Sequence, residues 1–116
     1  MSDIQPPQEV LKEILSYFNQ DNFLKAEELA NALIKEYSSN TFLLKILGVI
    51  YAKQGKFSKA LEYNKRVISV NAKDAEGYNN LGLCYKNLNL LYEMNQILKD
   101  LNLHQQAIRI KVLAEK

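Results

Sequence analysis

One histidine and one cysteine, His104 and Cys84, are the side chains here whose types could serve nucleophilic, general-base or metal chemistry. A cysteine nucleophile needs a neighbouring base or cation to hold it as the thiolate. Cys84 instead stands in the apolar run Leu83-Cys84-Tyr85, which reads as a small core residue. A metal needs several His, Cys or carboxylate ligands converging on it, and Cys84 has no cysteine partner. His104 falls in a predicted turn or helix start, where it reads as a solvated or capping residue. Glu27-Glu28 is a carboxylate pair, but adjacent residues on a helix diverge and do not face one another. The glycines are scattered, with neither GxGxxG nor a Walker loop to cradle phosphate. The sequence therefore predicts no catalytic residue, no metal or cofactor site, and no enzyme activity of its own.

Composition narrows the remaining classes. A chain of 116 residues suits one compact domain or a short repeat array, and 47% hydrophobic content is enough for a core. Fifteen basic residues against 13 acidic leave a formal charge of +2, without the marked basic excess of a nucleic-acid binder. A lone cysteine forms no internal disulfide and favours a reducing compartment. The N-terminus, MSDIQPPQEV, lacks the basic-then-apolar order of a secretory signal. No apolar run approaches the roughly 18 to 20 residues that cross a bilayer. The expectation is a soluble cytoplasmic protein that folds alone, with neither nucleic acid nor membrane as partner.

The elements that would position any site are organised by a repeat. Leu47-Gly-Val-Ile-Tyr51 returns as Leu81-Gly-Leu-Cys-Tyr85, displaced by 34 residues. The frames are 7–40, 41–74 and 75–108. In them Tyr17, Tyr51 and Tyr85 share one column, Phe23, Phe57 and Leu91 a second, and Leu33, Val67 and Leu101 a third. A fourth holds Ala26 and Ala60, with Met94 in the last frame. Each frame reads as two amphipathic helices. Asp21 is the expected N-cap of a helix running to Tyr37, Ser38-Ser39-Asn40 a turn, and Gln54-Gly55-Lys56 a glycine reversal. The next helix, 57–70, lines up Phe57, Ala60, Leu61, Asn64, Val67 and Ile68, and Asn71 or Asp74 stops it or caps its successor. A helical glycine costs roughly 1 kcal/mol against alanine, so Gly48 and Gly82 predict close helix contacts, with Ala26 and Ala60 on the partner face. Most of the tyrosines fall in columns that predict burial. After Tyr85 the third frame departs from the pattern. There the sequence predicts a short helix over 91–101, a turn at Asn102-Leu103-His104, and a final capping helix at about 104–115.

These columns resemble tetratricopeptide repeats, whose 34-residue unit follows W-x2-L-G-x2-Y…A-x3-F…P. The second frame matches best, as Leu44-x-x-Leu47-Gly48-x-x-Tyr51…Phe57-x-x-Ala60. The third offers Tyr78-x-x-Leu81-Gly82-x-x-Tyr85. The first is degenerate, with Val10, Glu13 and Ile14 in the motif places, but it keeps Tyr17, Phe23 and Ala26. The family's closing proline is absent. The resemblance implies an all-α fold: a right-handed superhelical array of antiparallel helix pairs, an α-solenoid, with three repeats at about 7–40, 41–74 and 75–101 and a C-terminal capping helix.

It also implies a concave groove lined by first helices. The columns that line it correspond here to Gln8, Leu11, Lys12, Leu15, Phe18 and Asn19 in the first frame. The second frame contributes Phe42, Lys45, Ile46, Val49, Ala52 and Lys53, and the third Glu76, Asn79, Asn80, Leu83, Lys86 and Asn87. With Lys12, Lys45, Lys53 and Lys86 against Glu76, this is an apolar groove with a basic margin. It would suit a protein or peptide carrying apolar anchors and some acidic residues. The carboxylate clamp of some relatives is not expected, because Lys45 and Asn80 match it but Val49 does not. Two alternatives stand beside a peptide-binding scaffold: a self-associating assembly module, and the N-terminal repeat arm of a larger enzyme such as a glycosyltransferase or sulfotransferase.

Overall fold

Two asparagines begin consecutive helices in the same way. The side chain of Asn22 accepts a hydrogen bond from the Lys25 amide at 3.3 Å, and that of Asn40 from the Leu43 amide at 3.0 Å. Each satisfies an amide the first turn would otherwise leave open, worth about 1 kcal/mol against alanine. Asp74 repeats the device, its Oδ1 accepting from the Gly77 amide at 2.8 Å. In the computed structural model, which describes residues 5–114, five helices follow. They are α1 (Gln8–Asn19), α2 (Phe23–Ile34), α3 (Thr41–Lys53), α4 (Phe57–Val70) and α5 (Ala75–Ala114). The fold is all-helical and tetratricopeptide-like.

The cap of α2 falls one residue later than expected. Asp21 takes a left-handed backbone with φ of 60°, which the short acidic side chain tolerates but which an N-cap does not adopt. Asn22 inherits the role, and α2 stops at Ile34 rather than at Tyr37. The expected reversal between α3 and α4 is present. Gly55 there has φ of 77°, a conformation open to glycine at little cost.

The chain divides into two units, Met1–Tyr85 and Lys86–Lys116. In the first unit α3 packs against both α2 and α4, and α1 against α2. Its position between two neighbours explains why α3 is apolar nearly all round. Leu43, Leu44, Leu47 and Ile50 are fully buried, and Tyr51 nearly so. Complete burial of such a side chain contributes about 1.5–3 kcal/mol. Ala26, Ala30 and Ala60, also fully buried, keep the helices close. Gly48 is where the approach is tightest: a Cβ there would lie 2.8 Å from Oδ1 of Asn64. Tyr51 stacks on Tyr63 with ring centroids 5.5 Å apart, and its hydroxyl accepts from Nδ2 of Asn31 at 3.2 Å. Burial pushes the Tyr51 phenol above its ordinary value.

Helix α5 corrects the reading of the third frame. The short helix over 91–101, the turn at 102–104 and the separate capping helix at 104–115 are not distinct elements. One helix runs through them as far as Ala114, and residues 115 and 116 lie outside the described ones. The physical reason is visible in composition. No glycine or proline follows Gly82, and asparagine costs a helix only a few tenths of a kcal/mol more than its neighbours do. The expected close contact at Gly82 is also absent, since nothing lies within 4 Å of a Cβ built there. Tyr78 and Tyr85, expected to be buried, are about half exposed. In the second unit the helix leaves Leu90, Leu91, Tyr92, Ile97 and Leu101 exposed.

Candidate functional site

Helical spacing gathers the first cluster of site residues. Leu15 and Phe18 are three apart on α1, while Phe42, Lys45, Ile46 and Val49 follow the i, i+3, i+4, i+7 pattern that keeps one face of α3. These six, with Glu76 from the first turn of α5, line a single hollow of about 180 Å³. Its floor is apolar. Ile46 is buried, Phe18 and Phe42 lean on the core, and Leu15 is exposed at the edge. Seven of the residues expected in the groove, Glu76 among them, therefore do meet in space.

The charged margin differs from the expectation. Nζ of Lys45 lies 2.7 Å from Oδ2 of Asp74, so this lysine is committed to an ion pair. Asp74 also accepts from the Gly77 amide. The Lys45 ammonium and then that amide hold the Asp74 carboxyl below the usual carboxylate range. The Lys53 ammonium sits 5.6 Å from the centroid of the Phe23 ring, a cation–π arrangement away from the hollow. Lys12 is exposed and, with Leu15, Ser16, Asn19 and Gln20, lines a second, broader hollow of about 380 Å³.

The remaining expected residues do not join either hollow. Leu11 packs against the core instead, because its position on α1 faces the neighbouring helices. Asn79 is exposed, Asn80 half-buried and Leu83 exposed on α5. Lys86 belongs to the second unit, where it is exposed. Ser16 and Gln20 were not anticipated. They hydrogen-bond to each other, Nε2 of Gln20 donating to Oγ of Ser16 at 2.9 Å. Nor was Asp74 anticipated as the counter-ion of Lys45; only its capping role shows in the sequence.

Chemistry-bearing side chains are dispersed. The Cys84 thiol is buried and accepts a hydrogen bond from Nδ2 of Asn64 at 3.3 Å. His104 falls within the α5 backbone, and its side chain is not among those described. Among the described residues no three His, Cys, Asp or Glu side chains gather as a metal site requires. No helix among them is long and apolar enough to cross a membrane.

Paired helices, the column residues and an apolar hollow framed by α1 and α3 define a tetratricopeptide-like helical-repeat domain. The family can be given more closely: residues 11–116 match the RNPP family C-terminal domain, and the chain belongs to that family. It is thus a helical-repeat scaffold of a peptide- or protein-binding kind. Over 69 residues the chain is also 32% identical to the UDP-N-acetylglucosamine--peptide N-acetylglucosaminyltransferase of Caenorhabditis elegans. That match spans 60% of this chain but 6% of the enzyme.

Proposed function

We propose that the chain binds a peptide, or a short segment of a partner protein, by seating its apolar side chains in the hollow framed by α1 and α3. The observation that carries this reading is the convergence of Leu15, Phe18, Phe42, Ile46 and Val49 on one cavity of about 180 Å³. Small-molecule and cofactor pockets run from about 300 to 1,000 Å³. The smaller space suits one or two apolar anchors of a longer ligand. Family membership supports a peptide or protein as that ligand.

Binding is driven by removing anchor and floor from water, at about 25 cal/mol per Å². Charge plays a lesser part than the sequence implies, because Lys45 is neutralised by Asp74. Glu76 stands on the rim of the anchor hollow, so Lys12, in the adjoining hollow that shares Leu15, is the lysine left to favour an acidic residue farther along the ligand. Such a rim charge tunes association rate and selectivity more than affinity. The reading assigns recognition and no catalytic step, and it places the chain in the cytoplasm, where its single cysteine stays reduced.

Fluorescence anisotropy with labelled peptides bearing leucine or phenylalanine anchors, flanked by acidic or basic residues, tests it. Val49→Asp should weaken binding roughly tenfold or more, because it buries a carboxylate against the anchor. Lys12→Glu should weaken only acidic-flanked peptides, by about two- to fivefold. Binding indifferent to Val49→Asp, in a variant with unchanged helicity, overturns the assignment. A second reading, the repeat arm of a larger glycosyltransferase, is favoured by the partial match to the N-acetylglucosaminyltransferase. A coding sequence that continues from Lys116 into a catalytic domain would establish it.

A further inference from the structure

The rim of the α1–α3 hollow carries a charge opposite to the one its lysine suggests. Lys45 and Glu76 are the ionic side chains that line it. Nζ of Lys45 is held 2.7 Å from Oδ2 of Asp74, and the pair is largely shielded, its side chains 25% and 10% exposed. The other oxygen of Asp74 accepts from the Gly77 amide at 2.8 Å, so that carboxylate is fixed in place. Lys45 and Asp74 therefore cancel, and Glu76 remains. It is exposed, and among the described residues no ion pair includes it.

The other lysines near α1 and α3 are placed elsewhere. Lys53 stands over the Phe23 ring, and Lys12 lines the adjoining hollow but not this one. One uncompensated carboxylate thus borders the apolar floor made by Phe18, Phe42, Ile46 and Val49. Glu76 belongs to the first turn of α5, where a carboxylate complements the helix N-terminus. That local role gives an acidic residue a reason to stand there, but a ligand seated beside it meets its charge all the same.

We infer that the hollow selects an apolar anchor with a cationic neighbour: a leucine or phenylalanine in the hollow, and a lysine or arginine next to it in the ligand that pairs with Glu76. This rests on the peptide-binding reading of the same hollow and adds the sign of the neighbouring charge. Seating the anchor drives water from the rim, so a like charge beside Glu76 is penalised more than in open solvent, and an opposite one favoured more. Lysine and arginine suit the position because their apolar stems lie along an apolar edge while the charged head stays in water. An acidic neighbour would have to draw Lys45 away from Asp74, leaving that shielded carboxylate without its counter-ion. Leu15 lines both hollows, so a ligand with its cation at Glu76 can still present an acidic residue to Lys12 farther along. Glu76 is thus a specificity-determining residue.

An NMR titration of the full chain reads both site and selectivity. The probes are serine–glycine peptides with a single phenylalanine, carrying lysine, glutamine or glutamate immediately before or immediately after it. The expected result is shift changes at Phe18, Phe42, Ile46 and Val49, with lysine binding about two- to fivefold more tightly than glutamate in at least one order. Glu76→Gln, at an exposed position, should bring that ratio close to one. Asp74→Asn should do so by a different route, since asparagine still caps α5 but frees the charge of Lys45. High salt should shrink the wild-type ratio. A lysine preference in neither order overturns the inference and leaves the peptide-binding reading standing, and so does a preference that survives either variant. Peptides that leave those four amides unmoved defeat the peptide-binding reading, and this inference with it.

Discussion

Residues 41–74 and 75–108 share a sequence pattern and differ in what it produces. Tyr51 and Tyr85 hold the same column, yet the first is buried beneath Tyr63 while the second is half exposed. Gly48 is filled by Asn64, and its counterpart Gly82 faces open space. The lesson concerns what a repeat column encodes. It fixes which side of a helix an element presents, but burial depends on whether a partner helix comes to meet it. Whether the partner comes is decided at the turn. Gly55 reverses the chain after α3, and the residues 34 positions later, Leu88-Asn89-Leu90, continue a helix.

Substitutions at paired columns sharpen this contrast. Leu47→Ala removes a fully buried side chain from the centre of α3 and should cost about 2–5 kcal/mol in urea unfolding. Leu81→Ala, half-buried at the matching position, should cost roughly 1 kcal/mol or less. Equal costs would mean that the third frame is closed within one chain. Gly48→Ala should destabilise by about 1–3 kcal/mol, since the new Cβ meets Asn64 at 2.8 Å. Gly82→Ala should instead stabilise by up to about 1 kcal/mol, the difference in helix propensity. A destabilising Gly82→Ala would remove the contrast between the two glycines.

The turn gives a smaller effect. Gly55→Ala forces a side chain into the left-handed region and should lower stability by about 1 kcal/mol. The smallest effect belongs to the Lys45–Asp74 pair at the junction of the two frames. Asp74 titrates below its unfolded value of about 3.9, so its contribution is present above that pH. It is lost as pH falls through the lowered native value. Asp74→Asn keeps an N-cap but loses the charge, so the variant should be slightly less stable than wild type at pH 7 and indistinguishable from it in strong acid. Thermal melts across pH 2–7 read the difference.

What the sequence discloses follows the same division. The helix pairs and the meeting of Leu15, Phe18, Phe42, Ile46 and Val49 are legible, because 34-residue spacing and helical periodicity determine them directly. Leu11 shares that periodicity but lies at the boundary of the face, where a small rotation of α1 sends it to the core. The ion pair of Lys45 is not legible, since no local rule links a lysine within α3 to the cap of α5. Asp21 and Asn22 are both competent caps, and backbone conformation alone separates them. The continuous α5 was hidden by Asn87-Leu-Asn and Asn102, residues that favour turns yet suffice for a helix when no glycine or proline breaks it.

In the proposed function the α1–α3 hollow receives a partner's apolar side chain. An amide NMR titration of the full chain, with the tightest phenylalanine-anchored peptide from the anisotropy panel, tests it most directly. The expected result is saturable shift changes centred on Leu15, Phe18, Phe42, Ile46 and Val49, abolished by Val49→Asp. Saturable binding that leaves these five amides unmoved and perturbs Tyr78–Tyr85 instead would contradict it.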